Sequence, residues 1–442
     1  MELLEGKHVG TSSPDNVSTK QQRIAKLAKE EKRALTTLAH HIDIEWLEEA
    51  FRRTRKDGAP GTDGVTATEY EAKLRENLQR LLDGAKSGTY RAPAVRRVHI
   101  PKGDGKQLRP IGIPTFEDKV LQRAVHMVLE PVYEQEFHDC SYGFRSGRSA
   151  HQALRSLREQ MMEMGGGWLL EVDIKSFFDT LDHRHLQELL RRRVRDGVLL
   201  RLIGKWLNAG VQHEGRHTRP EAGTPQGGVI SPLLANIYLH EVLDEWVEKE
   251  VKPRLGGRCF LIRYADDFVM GFFLEADARR VLDVLPKRFG KYGLTLHPEK
   301  TRLVRFERPK ANGSTEPESF DFLAFTHYWA RSLKGLWVIK RKTAKSRFTR
   351  SLSRIREWCR RFRHAPIAVQ HQHLSAAMRG HFGYFGISGN SAALARFAHE
   401  VKRVWHKWLA RRSQRGMRWD VFKALIHRHP LPAPRVMKHA IA

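Results

Sequence analysis

The chain is poor in cysteine, in long apolar runs, and in acidic residues relative to basic ones. Its three cysteines, Cys140, Cys259 and Cys359, are far apart in sequence and form no C-x-x-C pair. That argues against a disulfide framework and against a zinc module built on paired cysteines, and leaves them as small buried hydrophobes. No apolar run approaches the roughly 18 to 20 residues of a spanning helix, and the opening MELLEGKHVG lacks the basic-then-apolar order of a signal peptide. No membrane partner and a cytoplasmic location are expected. Acids are outnumbered, 50 Asp and Glu against 78 Lys and Arg, for a net charge of +28. An excess of this size implies a polyanionic partner, nucleic acid first. What is present in quantity is core material: 40% hydrophobic residues in 442 suffice for two or three folded domains.

Within that background the stretch Cys259 to Phe273, CFLIRYADDFVMGFF, places Asp266 and Asp267 in the middle of an apolar, β-branched and aromatic run. It reads as two strands joined by a tight turn at the acidic pair. Adjacent like charges are costly unless a cation neutralises them, and hard oxygen ligands without nearby Cys or His favour Mg²⁺. A solvated hairpin turn is the alternative. WLLEVD, Trp168 to Asp173, is a second short apolar strand ending in a carboxylate, and here too a plain turn residue is the alternative.

Residues 1 to about 20 read as a poorly ordered tail, followed from Gln21 to Phe51 by two basic amphipathic helices with Asp43 as a cap. Thr66 and Glu69 form a capping box for a helix running toward Leu82. Arg96 to Pro114 predicts a basic hairpin turning at Gly103 to Gly105, with Lys102 and Arg109 flanking the turn, suited either to a triphosphate or to solvent. Thr115 caps a helix to about Tyr133. Ser141 to Arg145 is a Gly-bearing turn with an exposed aromatic and an exposed cation, Arg145, placed for stacking on a base or for packing. Asp182 caps a further helix. Gly223 to Gly228 is a Gly-rich loop opening a helix from Ser231, where backbone amides and Gln226 could approach a nucleotide or where glycine serves only the turn. A helix from Ala276 to Tyr292 follows the acidic hairpin. Phe320 to Phe325 and Gly335 to Ile339 suggest a second strand pair, set off by the polar loop Pro309 to Ser319.

Between Arg341 and Asp420 there are 19 Lys and Arg against three acids. Val401, Val404, Trp405, Trp408 and Leu409 form an apolar stripe, with cations on the other faces. This predicts a basic helical domain whose candidate RNA-contacting residues are Arg341, Lys342, Lys345, Arg379, Lys402, Arg403, Lys407, Arg411 and Arg412.

Seven segments in order carry a family resemblance: IPKGDGKQLRPIGIP (100–114), SYGFRSGRSAHQAL (141–154), VDIKSFFDTLDH (172–183), GTPQGGVISPLLANIYLH (223–240), RYADDFV (263–269), LHPEKT (296–301) and FDFLAF (320–325). Together they resemble the group II intron reverse transcriptases, or maturases, over roughly Gly61 to Trp419. The resemblance implies an α+β right-hand polymerase. Fingers and a palm with an antiparallel sheet would span 21–333, including an N-terminal extension to about 95, and an all-helical thumb or maturase region would span 334–442. It implies Asp173, Asp266 and Asp267 as catalytic metal ligands, with the Ile174 carbonyl completing a site for two Mg²⁺ ions, Mn²⁺ being a substitute. Lys102 and Arg109 would clamp the triphosphate, Gln226 would contact the incoming nucleotide, and Lys300 would sit by the active site. Phe178 would be the steric gate that rejects a 2′-hydroxyl. Tyr264 and Arg145 would support primer and template.

The implied partners are a structured RNA, a DNA primer and deoxynucleoside triphosphates; oligomeric state stays open. Ser146 stands where the family more often has Pro, and Ala324 where it more often has Gly. No Cys-pair or His-Asn-His endonuclease motif follows the thumb, which His427 and His429 do not supply. Two other readings remain: a domesticated relative serving phage defence or a CRISPR system, and a non-catalytic RNA-binding splicing factor.

Overall fold

The computed structural model describes residues 14–101, 108–213, 216–218, 223, 227–309 and 318–436. In chain order the helices and strands begin with α1 (Pro14–Glu30), α2 (Ile44–Arg53), α3 (Ala67–Glu71), α4 (Leu74–Ser87), β1 (Val95–Pro101), β2 (Leu108–Ile113) and α5 (Phe116–Tyr133). Next come α6 (Ala150–Met164), β3 (Trp168–Val172), α7 (Phe177–Thr180), α8 (His183–Arg193), α9 (Gly197–Leu207), β4 (Val211–His213), β5 (Arg216–Thr218) and α10 (Ser231–Leu239). The acidic hairpin is β6 (Cys259–Tyr264) and β7 (Asp267–Phe272), followed by α11 (Glu275–Gly290), β8 (Arg302–Arg305), β9 (Phe320–Phe322), β10 (Phe325–Arg331) and β11 (Trp337–Thr343). Four helices follow among the described residues: α12 (Lys345–Arg361), α13 (Ile367–Phe385), α14 (Ser391–Ala410) and α15 (Trp419–Arg428).

The fold is α+β, and the described residues form three small sheets ordered β2-β1-β4-β5, β6-β7-β3-β8 and β11-β10-β9. The middle sheet is antiparallel throughout. Its two faces divide by period-2 alternation. Leu170, Val172, Leu261, Phe268 and Met270 join a core with α1–α5 and α8–α11. Leu169, Phe260, Ile262 and Val269 join a second core with α6, β9–β11 and α12–α14. The sheet that carries the acidic residues is therefore the wall shared by both cores.

Local signals positioned most elements. Asp43 Oδ1 accepts from Trp46 N at 2.9 Å, and the Thr66–Glu69 capping box is closed in both directions. Thr115 and Asp182 cap α5 and α8. Asp196 does more than cap α9: it also accepts from Leu38 N and Ala39 N at 2.7 and 2.8 Å, tying the N-terminal segment to the body.

Some expectations need correction. Residues 14–20 belong to α1 rather than to a loose tail, because Val17 and Ile24 point into the core. The helix after the capping box breaks at Ala72–Lys73 into α3 and α4. The predicted pairing of 320–325 with 335–339 does not form: β9 pairs with β10, which in turn pairs with β11. Residue 333, the expected end of fingers and palm, lies in the β10–β11 turn, and the helices start at Lys345.

Candidate active site

The acidic hairpin closes with Tyr264 opposite Asp267 and with Ala265 in the left-handed region, φ +57°. Gly143 lets the 141–145 turn pack onto it, since a Cβ there would come 2.3 Å from Ala265 N. Beneath the turn lies a fully buried ion pair: Arg263 Nε and Nη2 donate to the two Asp244 oxygens at 2.8 and 2.5 Å. Arg263 Nη1 also donates to Asn236 Oδ1 and to the Ala265 carbonyl, while Asn236 Nδ2 donates to Gly143 O at 2.7 Å. Burial alone would raise Asp244, but Arg263 and His240 overrule it and hold the carboxyl below its usual value. Arg263, Asp244 and Asn236 thus fix the turn's backbone, a role not assigned to them from the sequence.

Strand β3 pairs with β7, Val172 opposite Phe268, so Asp173 continues the ladder beside Asp267. Asp173 is anchored by His297 N donating to its carbonyl at 2.7 Å, and Lys300 Nζ donates to Asp173 Oδ2 at 2.6 Å. Ile174 bridges Leu296 through bonds made by Asp173 O and Lys175 N, so its own carbonyl takes no part in that bridge. Burial, then Asp266 and Asp173, push Asp267 up to about 6. Asp266 is also raised, by burial and by Asp173, against the opposing charges of Arg109 and Arg263. Mutual repulsion of hard oxygen donors is the electrostatic condition a divalent cation relieves. Among the described residues, however, the set of three ligand-type side chains gathered within 4.8 Å is His138, His240 and Glu245 rather than these aspartates.

A cavity of about 520 Å³ opens beside the carboxylates, lined by Asp173, Asp267, Lys300, Arg302, Ala324 and Arg347 among others. Arg347, on the first turn of α12, bears electrostatically on Asp267. A larger cavity of about 810 Å³, lined by Glu76, Arg80 and Tyr90, shares no lining residue with it.

The other expected residues divide. Half-buried Phe178 meets Phe177 edge-on at 5.3 Å. Gly223, at φ +94°, lies so close that a Cβ would come 2.8 Å from Asp179 O and 2.9 Å from Phe178 O; at Gly227, φ +123°, a Cβ would come 2.5 Å from Gly112 O. Gly223 thus abuts Phe178 and Asp179, and Gly227 abuts β2, the strand that carries Arg109. Tyr264 is half-buried next to the turn. Lys102 and Gln226 lie outside the described residues.

Arg145 is not the exposed cation expected. It is buried, donating to Glu134 and to the His138 and Ser141 carbonyls, while Phe144 is the exposed member of that turn. Arg341 is likewise buried in β11, and burial lowers it to about 10. Half-buried Arg412 donates to the Arg363 and Ala365 carbonyls, fastening α14 to the α12–α13 loop. Lys342, Lys345, Arg379, Lys402, Arg403, Lys407 and Arg411 are exposed.

Residues 100–327 match the family described as reverse transcriptase (RNA-dependent DNA polymerase). The chain belongs to the reverse transcriptase family. It is 47% identical over 259 residues to protein YkfC of Escherichia coli (strain K12), covering 51% of this chain and 67% of that protein. It is 41% identical over 199 residues to the group II intron-encoded protein LtrA of Lactococcus lactis subsp. cremoris, covering 45% of this chain but 33% of that protein. It is 30% identical to nuclear intron maturase 2, mitochondrial, of Arabidopsis thaliana over 177 residues, covering 31% of this chain and 24% of that protein. These likenesses support the group II intron affiliation that the motif order implied. Members of the family generally use divalent metal ions, and among the described residues no helix is long and apolar enough to cross a membrane.

Proposed function

We propose that the chain is an RNA-directed DNA polymerase that binds a structured intron RNA, assists its splicing and copies it into DNA for retromobility. The observation that carries the reading is the convergence of Asp173, Asp266 and Asp267 on one end of the shared sheet, with Asp266 and Asp267 shifted toward the neutral form by burial and mutual repulsion. Asp173, Asp266, Asp267 and the Ile174 carbonyl would hold two Mg²⁺ ions, whose chemistry is to activate the primer 3′-hydroxyl and neutralise the triphosphate. Around them the protein positions and excludes. Arg109 and Lys102 neutralise the triphosphate, and Gln226 contacts the incoming nucleotide. The Phe178 ring fills the space a 2′-hydroxyl would need, which selects deoxynucleotides. Lys300 balances the charge of Asp173. The primer oxygen attacks the α-phosphorus, the bond to the bridging oxygen breaks, and pyrophosphate leaves.

Primer extension by the purified chain on an RNA template tests this. Extension should require a divalent ion and should disappear in Asp266→Ala/Asp267→Ala; undiminished extension by that variant would overturn the assignment. Wild-type protein that promotes splicing but never extends a primer would instead mark a non-catalytic RNA-binding splicing factor.

A further inference from the structure

Beside Asp244 lies a second cluster. His138 Nε2 is 2.8 Å from Glu245 Oε1, and His240 Nε2 is 3.9 Å from the same oxygen. One ligand atom from each residue falls within 4.8 Å of the others. The backbone here is unusual. His240–Asp244 and Val247–Val251 are π-helical. In an α-helix, positions five apart point about 140° from one another. The wider π-turn is what brings His240 and Glu245 onto one side, and such turns recur at functional sites.

His240 is buried, and its Nδ1 has no hydrogen-bond partner, although Asp244 Oδ2 stands 3.8 Å away. A carboxylate behind the second ring nitrogen is the arrangement that orients a metal-ligating histidine. Lys249 takes the other oxygen of Glu245, Oε2, leaving Oε1 directed at the two imidazoles. His138 is about one-third exposed, 32%, so that side of the cluster is open to a water or an ion.

We propose that His138, His240 and Glu245 form a binding site for one divalent transition-metal ion, with Zn²⁺ the best match to two imidazoles, a carboxylate and an open fourth position. Zn–N and Zn–O distances of about 2.0–2.2 Å would draw the three ligand atoms, now within 4.8 Å of one another, closer together. The ion would join the segment after α5 to the π-helical segment after α10. Through His240 and Asp244 it would brace Arg263 and the backbone of the acidic turn. The site is separate from the three aspartates and does not rest on the polymerase reading.

The test uses the full chain stripped with a chelator and returned to buffer containing Mg²⁺, then titrated with Co²⁺ as a visible-absorbing probe and back-titrated with Zn²⁺. The expected result is one equivalent of Co²⁺ with a tetrahedral absorption band, displaced by Zn²⁺. His138→Ala and Glu245→Gln, checked by circular dichroism for retained fold, should each bind at least about tenfold more weakly. Absence of the band in wild-type protein would overturn the site. So would a band of undiminished strength in both variants, because it would place the ion on other histidines.

Discussion

At Asp267, burial and the neighbouring charges of Asp266 and Asp173 raise the carboxyl from its usual 3.8 to about 6. A carboxyl raised in the folded state stabilises the fold while protonated, and that contribution is lost as pH rises through the folded value. In metal-free buffer near neutral pH, the ionised Asp267 is therefore a liability to stability. Asp267→Asn should unfold at higher urea concentration than wild type above about pH 6. Although neighbouring atoms desolvate its carboxyl, the Asp267 side chain reaches solvent, so after screening the gain is about 1 kcal/mol, and it should shrink as pH falls toward 4. Equal stabilities across that range would show that the carboxylates do not strain one another. Divalent ions should narrow the gap by stabilising wild type alone. Arg263 makes the complementary point. It lies on the same strand face as buried Leu261, with its charge answered by Asp244 from outside the hairpin. Removing one partner of such a buried pair costs about 3–5 kcal/mol, so Asp244→Ala should lower the urea midpoint sharply and loosen the turn with it.

The elements that were legible in sequence were those whose signals are local. The Asp-Asp hairpin, the WLLEVD strand, the basic hairpin and the caps at Asp43, Thr66, Thr115 and Asp182 all announce themselves within a few residues. What was missed depends on distant partners. Strand β8 is held by pairing with β3, and β10 lies between β9 and β11. Arg145 has the composition of a surface cation but is drawn inside by carbonyls, the Glu134 carboxylate and the Phe137 ring, while Arg341 is buried by its place in β11 opposite buried His327; no local pattern displays either. The β9–β10 turn shows a local rule being broken. Leu323 and Ala324 both have positive φ, +47° and +69°. Ala324 stands where the family resemblance led to an expectation of glycine. A side chain in this region costs roughly 1–2 kcal/mol, partly offset because glycine is more flexible when unfolded. Ala324→Gly should therefore stabilise the protein by about 0.5–1 kcal/mol, whereas Ala324→Val should destabilise it. Thermal unfolding of the two variants decides, and a Gly variant less stable than wild type would show that the turn is not strained.

On the scale of the whole molecule, the two cores meet at one sheet, and the helical region is fastened to that sheet's partners by specific bonds. His151 and the Tyr384 carbonyl are 2.7 Å apart, Arg158 donates to Ile339 O, and Tyr384 donates to Leu323 O. These bonds tie the basic helices to the elements around the carboxylates, and under the proposed function their exposed cations would be the ones that meet RNA phosphates. The burial pattern separates two kinds of cation within that region. Lys402, Arg403, Lys407 and Arg411 are exposed on or beside α14, whereas Arg341 is buried and Arg412 is engaged with backbone carbonyls. Removing one cation that neutralises a phosphate should reduce the slope of log affinity against log salt by about 0.7 to 0.9. Replacing Lys402, Arg403, Lys407 and Arg411 with Gln should weaken RNA binding and flatten that slope by up to about three units, leaving the unfolding midpoint nearly unchanged. Arg341→Gln and Arg412→Gln should do the reverse, lowering stability with little change in slope. Filter binding at a series of salt concentrations, paired with urea unfolding of the same proteins, distinguishes the outcomes. If Arg341 and Arg412 moved the slope as much as the exposed four, engagement within the protein would not be what separates phosphate-binding cations from structural ones.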